Sequence, residues 1–180
     1  SRGEIGGCGT QTAALAAGGN SPGGTANTEE FNGSAWTEVG NLNTSRKSLA
    51  AAGTMEAALA FGGYDPSFHA VTESWNGTAW TEVADLNDAR NQLGGAGIQT
   101  AALAFAGNSP ASVGAKTEQW GGSSWTEVGD LNTGRYAIGS GGTYTSAIAM
   151  GGEPKTGKTE LWDGTSWTEV TDLNTARQTL

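Results

Sequence analysis

A phrase of 13 residues is written four times along this chain: SAWTEVGNLNTSR, TAWTEVADLNDAR, SSWTEVGDLNTGR and TSWTEVTDLNTAR. Its tryptophans, Trp36, Trp80, Trp125 and Trp167, stand 44, 45 and 42 residues apart, and its arginines, Arg46, Arg90, Arg135 and Arg177, keep the same steps. A repeat of that length, dense in turn signals, is the mark of a stack of small sheets whose faces bury one another. The units run over residues 2–45, 46–89, 90–134 and 135–176, with 177–180 in phase with the start of a fifth first strand. Together they form one repeat domain over 1–180.

Each unit parses into four strands. In the second, RKSLAAAGT and EAALAFGG are built of Ala, Gly and Leu, apolar on both faces, as strands covered on both sides are. VTESWNG and AWTEVADL follow, carrying the large rings. Two-residue turns are expected between the third and fourth strands at Asn32-Gly33, Asn76-Gly77, Gly121-Gly122 and Asp163-Gly164, with positive φ at both positions. All four prolines, Pro22, Pro66, Pro110 and Pro154, fall between the second and third strands, where no ladder N–H is lost. Small side chains on the first pair and large ones on the second pair describe a wedge, narrow at an axis and wide at a rim. That is the blade of a β-propeller.

The order of these features resembles the kelch repeat. A diglycine closes the second strand at Gly18-Gly19, Gly62-Gly63 and Gly151-Gly152, with Ala106-Gly107 as the departure. An aromatic stands on the third strand (Phe31, Trp75, Trp120 and Trp162, where the family more often has Tyr), and a tryptophan on the fourth. The resemblance covers essentially the whole chain. The TEVxDLNTAR wording is further similar to kelch-like repeats encoded by marine bacteriophages, particularly those of cyanobacteria. These resemblances imply an all-β β-propeller, four kelch-like blades of four antiparallel strands in this chain, and a virion or extracellular setting. Runs such as LAAAG and LGGAG offer little volume to fill the steep angle between blades of a four-bladed ring. The expectation is therefore a larger closed ring, completed by a second copy as a homodimer or other homo-oligomer, or by further blades of a longer array.

Charge and composition narrow the function. The net charge of −9 repels a nucleic-acid backbone, and no run of about 18 apolar residues is present to insert in a membrane. The chain opens on Ser1 instead of Met, as a processed product or a segment of a longer protein does. Cys8 has no partner for an internal disulfide and reads as a small buried strand residue. His69 is the single histidine, expected in an exposed loop, and it has no companion for a zinc site. Asp85 and Asn87 with their counterparts offer oxygens to calcium, yet match no loop motif. No metal or other cofactor is assigned, no nucleophile–base pairing stands out, and an enzyme is not expected.

The repeated large residues have structural readings first. The tryptophans are mortar between blades, with sugar stacking by Trp75, Trp120 or Trp162 as the alternative. The arginines read as clamps to Asp85, Asp130 and Asp172, or to the glutamates of the Thr-Glu pairs; a positive ring around the channel mouth is the alternative. Thr-Glu on both outer strands predicts an acidic, hydrated rim that guards the edge, with paired carboxylates for hydrolysis as the sharper alternative. What differs between copies is the loop after the second strand: NSPGGTAN, YDPSFHAV, NSPASVGA and EPKTG. Variable loops on a rigid repeated frame make a binding face. Tyr64, Phe68 and His69 are its most distinctive groups. The expected function is a non-catalytic recognition or scaffold module contacting protein or the host envelope. A multivalent lectin with one shallow site per blade, and a purely structural spacer, are the alternatives.

Overall fold

The computed structural model describes residues 2–21, 23–111 and 114–178; Pro22 lies outside them. Every regular element is a strand, and sixteen of them form four antiparallel four-stranded sheets arranged as a four-bladed β-propeller. Blade 1 is β1 (Gly6–Thr10), β2 (Ala13–Ala17), β3 (Thr28–Phe31) and β4 (Trp36–Glu38). Blade 2 is β5 (Ala50–Gly53), β6 (Ala58–Phe61), β7 (Thr72–Trp75) and β8 (Trp80–Glu82). Blade 3 is β9 (Gly94–Ile98), β10 (Ala101–Phe105), β11 (Thr117–Trp120) and β12 (Trp125–Glu127). Blade 4 is β13 (Gly139–Thr143), β14 (Ser146–Met150), β15 (Thr159–Trp162) and β16 (Trp167–Val170). Within each blade the strands pair in chain order, first to fourth.

The innermost strands β1, β5, β9 and β13 lie side by side in succession, which explains their composition. A Cβ added at Gly94 would stand 2.7 Å from the Phe105 ring and 2.9 Å from Ile138, and one at Gly6 3.1 Å from Leu49. At these positions a side chain would press on the neighbouring blade, and glycine avoids the contact. The wedge between blades is filled by residues flanking the strands: Leu42, Leu86 and Leu131 at the end of one blade, and Leu49, Leu93 and Ile138 ahead of the next, all buried. Volume that the strand runs lack is thus supplied from their connections. Among the described residues the buried apolar side chains form three clusters, each lying between consecutive blades: 1 with 2, 2 with 3, and 3 with 4.

Two local expectations change. The hairpin between third and fourth strands pairs Phe31 with Trp36 and then Asn32 N–H with Ala35 O, so its central residues are Gly33-Ser34, one step beyond Asn-Gly. Only the glycine takes positive φ (92°), the sign pattern of a II′ turn. The asparagine instead turns its side chain inward, Asn32 Oδ1 accepting the N–H groups of Ser34 and Ala35 at 3.0 Å each. The third strand is also largely buried in blades 2 to 4, with Leu161 of blade 4 exposed, so Glu73, Glu118 and Glu160 lie inside the protein and in those blades only the fourth-strand glutamates reach the hydrated rim.

Candidate functional site

The arginine of each phrase enters the blade that follows it. Arg46 donates to the carbonyls of Gly62 (2.9 Å) and Ala60 (3.2 Å), and to Glu73 Oε1 at 2.5 Å. Arg135 repeats the pair with Glu160 at 2.5 Å, and Arg90 Nη2 lies 3.0 Å from Glu118 Oε1, close enough for an ion pair though not aligned for a hydrogen bond. Strand register makes the room, because each of these glutamates faces an alanine: Ala60, Ala104 and Ala149. The clamp is therefore arginine to third-strand glutamate, and not to aspartate. Asp85 and Asp130 instead accept the backbone N–H of Thr72 and Thr117, and Asn41 that of Thr28. Arg46, Arg90 and Arg135 are buried, so they present no positive ring to a ligand. Burial pushes the Arg90 guanidinium down from its ordinary value, and Glu118 opposes that shift. Arg177 is exposed; its backbone bonds to Gly152 and Thr156.

The other oxygen of each glutamate takes a residue that the sequence singled out only weakly. Glu73 Oε2 accepts from Asn43 N (2.7 Å) and Asn43 Nδ2 (2.8 Å); Asn87 serves Glu118 and Asn132 serves Glu160 in the same way. The signal was present as an asparagine held in one phase of the phrase, next to the leucine that fills the wedge. Asn87 thereby spends its backbone N–H and its side-chain amide N–H groups on Glu118 and the Trp125 carbonyl.

The tryptophans join blades. Trp80 Nε1 donates to Thr28 Oγ1 of the preceding blade at 3.0 Å, Trp125 to Thr72 at 3.0 Å and Trp167 to Thr117 at 2.9 Å. Trp75, Trp120 and Trp162 are buried and donate to the carbonyls of Met55, Gln99 and Tyr144. With both faces covered they offer a sugar no stacking surface. Trp36 stands apart, 52% exposed where Trp80, Trp125 and Trp167 are 5%, 6% and 5% exposed.

The variable loops gather at the end of the propeller where the arginine segments enter. Each loop pairs with the residue after an arginine or its equivalent, as Gly3 with Asn20, Lys47 with Tyr64, Asn91 with Asn108 and Tyr136 with Glu153. In the second loop Tyr64 bridges to Phe68, and their rings meet edge to face with centroids 5.4 Å apart. The loop is tied down by Ser45 Oγ to Asp65 Oδ2 at 2.9 Å and by His69, whose N–H donates to Gly63 O and whose carbonyl accepts Arg90 N–H. His69 is half-buried and also sets Nε2 3.3 Å from Asp65 O, so it braces the loop and is less free than a solvent residue. Beside Tyr64 and Phe68 runs a groove of about 400 Å³ walled by Lys47, Asn91, Gln92 and Asn108. Asn91 Oδ1 is buried there and finds no donor among the described residues.

A collar lines the axial opening. Glu4, Ser48, Gln92 and Ala137 take φ of 56°, 54°, 52° and 53°, each in the left-handed region. They are bonded in series, Ser48 N to Glu4 O (2.7 Å), Gln92 N to Ser48 O (2.8 Å) and Ala137 N to Gln92 O (2.9 Å). Four unlike side chains in one strained conformation left no signal in the sequence, because the conformation is imposed by the backbone bonds between blades. The collar rims a cavity of about 450 Å³ reached by residues of all four blades. Compared with known proteins, the chain matches no family model and no curated protein sequence.

Proposed function

We propose that this β-propeller is a non-catalytic recognition module whose ligand, a protein or envelope component of a target surface, lies in the groove beside Tyr64 and Phe68. One observation carries the reading: two aromatic rings are held in a braced loop against an amide wall that includes a buried, unpartnered acceptor, Asn91 Oδ1. Rigid rings bury contact area at small entropic cost, and an unmet acceptor rewards a ligand that brings a donor. The repeated Arg–Glu pairs are engaged within the blades, which leaves the loop face as the surface where copies differ. The resemblance to kelch repeats, and the phage-like wording of the phrase, support placing the module on a phage particle or other surface-associated assembly.

A second reading has its own support. An aromatic ring beside Asn91 and Asn108 suits a pyranose, with one face stacked and hydroxyls met by amides. Because the Tyr64–Phe68 pair belongs to one loop, this is a single site and not one per blade. The purified chain is screened against arrayed bacterial surface polysaccharides and immobilised envelope preparations, beside Tyr64→Ala, Phe68→Ala and Asn91→Ala variants. Binding weakened at least about tenfold by each ring substitution, with an unchanged melting temperature, is expected. Binding that survives both ring substitutions overturns the site. Retention on polysaccharide alone selects the glycan reading.

A further inference from the structure

The junction between blades is built three times inside the chain from the same parts. The leading blade supplies a leucine and an asparagine (Leu42-Asn43, Leu86-Asn87, Leu131-Asn132) and a third-strand threonine; the following blade supplies a glutamate and a fourth-strand tryptophan. The chain carries a fourth copy of each half and leaves them apart. Blade 1 presents Glu29 and Trp36; among the described residues the Glu29 side chain is held only by Arg2, at 2.9 Å, and Trp36 is half-exposed and donates to none. Blade 4 presents Leu173, half-buried, and Asn174, exposed, with Thr159 behind them, 6% exposed and its hydroxyl donating to Gly157 O.

The geometry points to a second copy of this chain as the partner of blade 1. Leu173 and Asn174 of the second copy seat against Glu29, and Trp36 turns its N–H onto Thr159 of that copy. The socket is a recess of about 500 Å³ lined by Arg2, Ile5, Ala16, Thr25, Glu29 and Trp36. Its apolar complement is Met150, which stands opposite Thr159 as Phe61 stands opposite Thr72 and Phe105 opposite Thr117. Those phenylalanines pack on the next blade's tryptophan, Phe61 on Trp125 at 5.0 Å and Phe105 on Trp167 at 4.8 Å. Met150 does the same for Trp36 through a sulfur–ring contact. Arg2 already fills the arginine place at Glu29, so Arg177 of the second copy, which is in the same phase, gives up its backbone bonds to Gly152 and Thr156 when the junction closes.

Within one copy, closure of blade 4 onto blade 1 would continue the collar, with Glu4 N–H donating to Ala137 O. No backbone hydrogen bond among the described residues joins those blades. The contact is head-to-tail, and two copies make two equal junctions and a ring of eight blades.

Sedimentation of the parent chain, and of Glu29→Ala and Asn174→Ala variants, tests this. The parent is expected at twice 18.2 kDa, and each variant at 18.2 kDa at concentrations where the parent is dimeric. Mixing the two variants restores a dimer, because an intact Asn174 on one then meets an intact Glu29 on the other. That complementation separates a lost junction from a lost fold. A parent at 18.2 kDa up to about 100 μM, a dimer indifferent to both substitutions, or a mixture that stays monomeric overturns the proposal.

Discussion

Arg46 and Glu73 are both 0% exposed, which makes each residue costly alone and stable only as a pair. Two charges withdrawn from water are tolerated because, beyond their mutual contact, every side-chain nitrogen and oxygen of the pair finds a partner: Gly62 O, Ala60 O and Thr44 O for the guanidinium, Asn43 and Thr44 for the carboxylate. Glu73→Ala leaves an uncompensated buried arginine and is expected to cost about 3–5 kcal/mol in urea unfolding. A double-mutant cycle is expected to couple Arg46 strongly to Glu73 and to leave Arg46 with Asp85 within about 0.5 kcal/mol of additivity. The matching pair at the open end, Arg2 with Glu29, is 13% and 42% exposed, and breaking it is expected to cost less than about 1 kcal/mol. Cys8, packed on β1 against the blade 1–2 cluster, has its thiol pushed from 9.0 up to about 11 by burial. Below pH 9 the thiol is protonated whether the chain is folded or not, and Cys8 leaves stability unchanged. Between pH 9 and 11 the unfolded thiol ionises first, so stability falls as pH rises, and Cys8→Ala is expected to remove that part of the alkaline loss.

The hairpin between third and fourth strands shows how much of an element the sequence makes legible. Its place, its glycine and its four occurrences could be read directly, since only glycine enters positive φ freely. The turn itself was shifted by one residue, because the asparagine that looked like a turn centre is a side-chain acceptor preceding it. Asn32, Asn76 and Asp163 all accept two backbone N–H groups, and those bonds hold the Asp163 carboxyl below its ordinary range. Blade 3 has Gly121 at this point, with open space where a Cβ would stand and no positive φ. Gly121→Asn is therefore expected to stabilise the chain by about 0.5–1 kcal/mol, measured by chemical unfolding; a loss would show that the side-chain bonds do not define the turn. The candidate site was legible in a different measure. Tyr64 and Phe68 were marked by being aromatic in a variable loop, whereas the amide wall at Asn91 and Asn108 comes from the next blade and only folding brings it near.

Across the whole molecule, stability in a chain of like units is a sum of unit and neighbour terms. Blades 2 and 3 have a neighbour on both sides, and their second strands are the most enclosed: Leu59 and Leu103 are completely buried. Blades 1 and 4 each have one neighbour joined by a cluster, and their free sides show in the exposed residues of β4 and of β13. Local opening is cheapest where few apolar contacts are lost, so amide exchange should be graded along the chain. In the Asn174→Ala variant, which lacks the intermolecular junction, β6 and β10 amides are expected to exchange slowest, at the rate of global unfolding, and β4 fastest. Raising the concentration of the parent chain should slow β3, β4 and β15 selectively, since those are the strands that a second copy covers. A flat profile in the dilute variant would mean that blades 1 and 4 are already sealed to each other within one copy. In that case the ring is four blades, and Trp36 should lose its exposure to acrylamide quenching in the monomer. The two ring sizes are thus separated by one gradient, read at two concentrations.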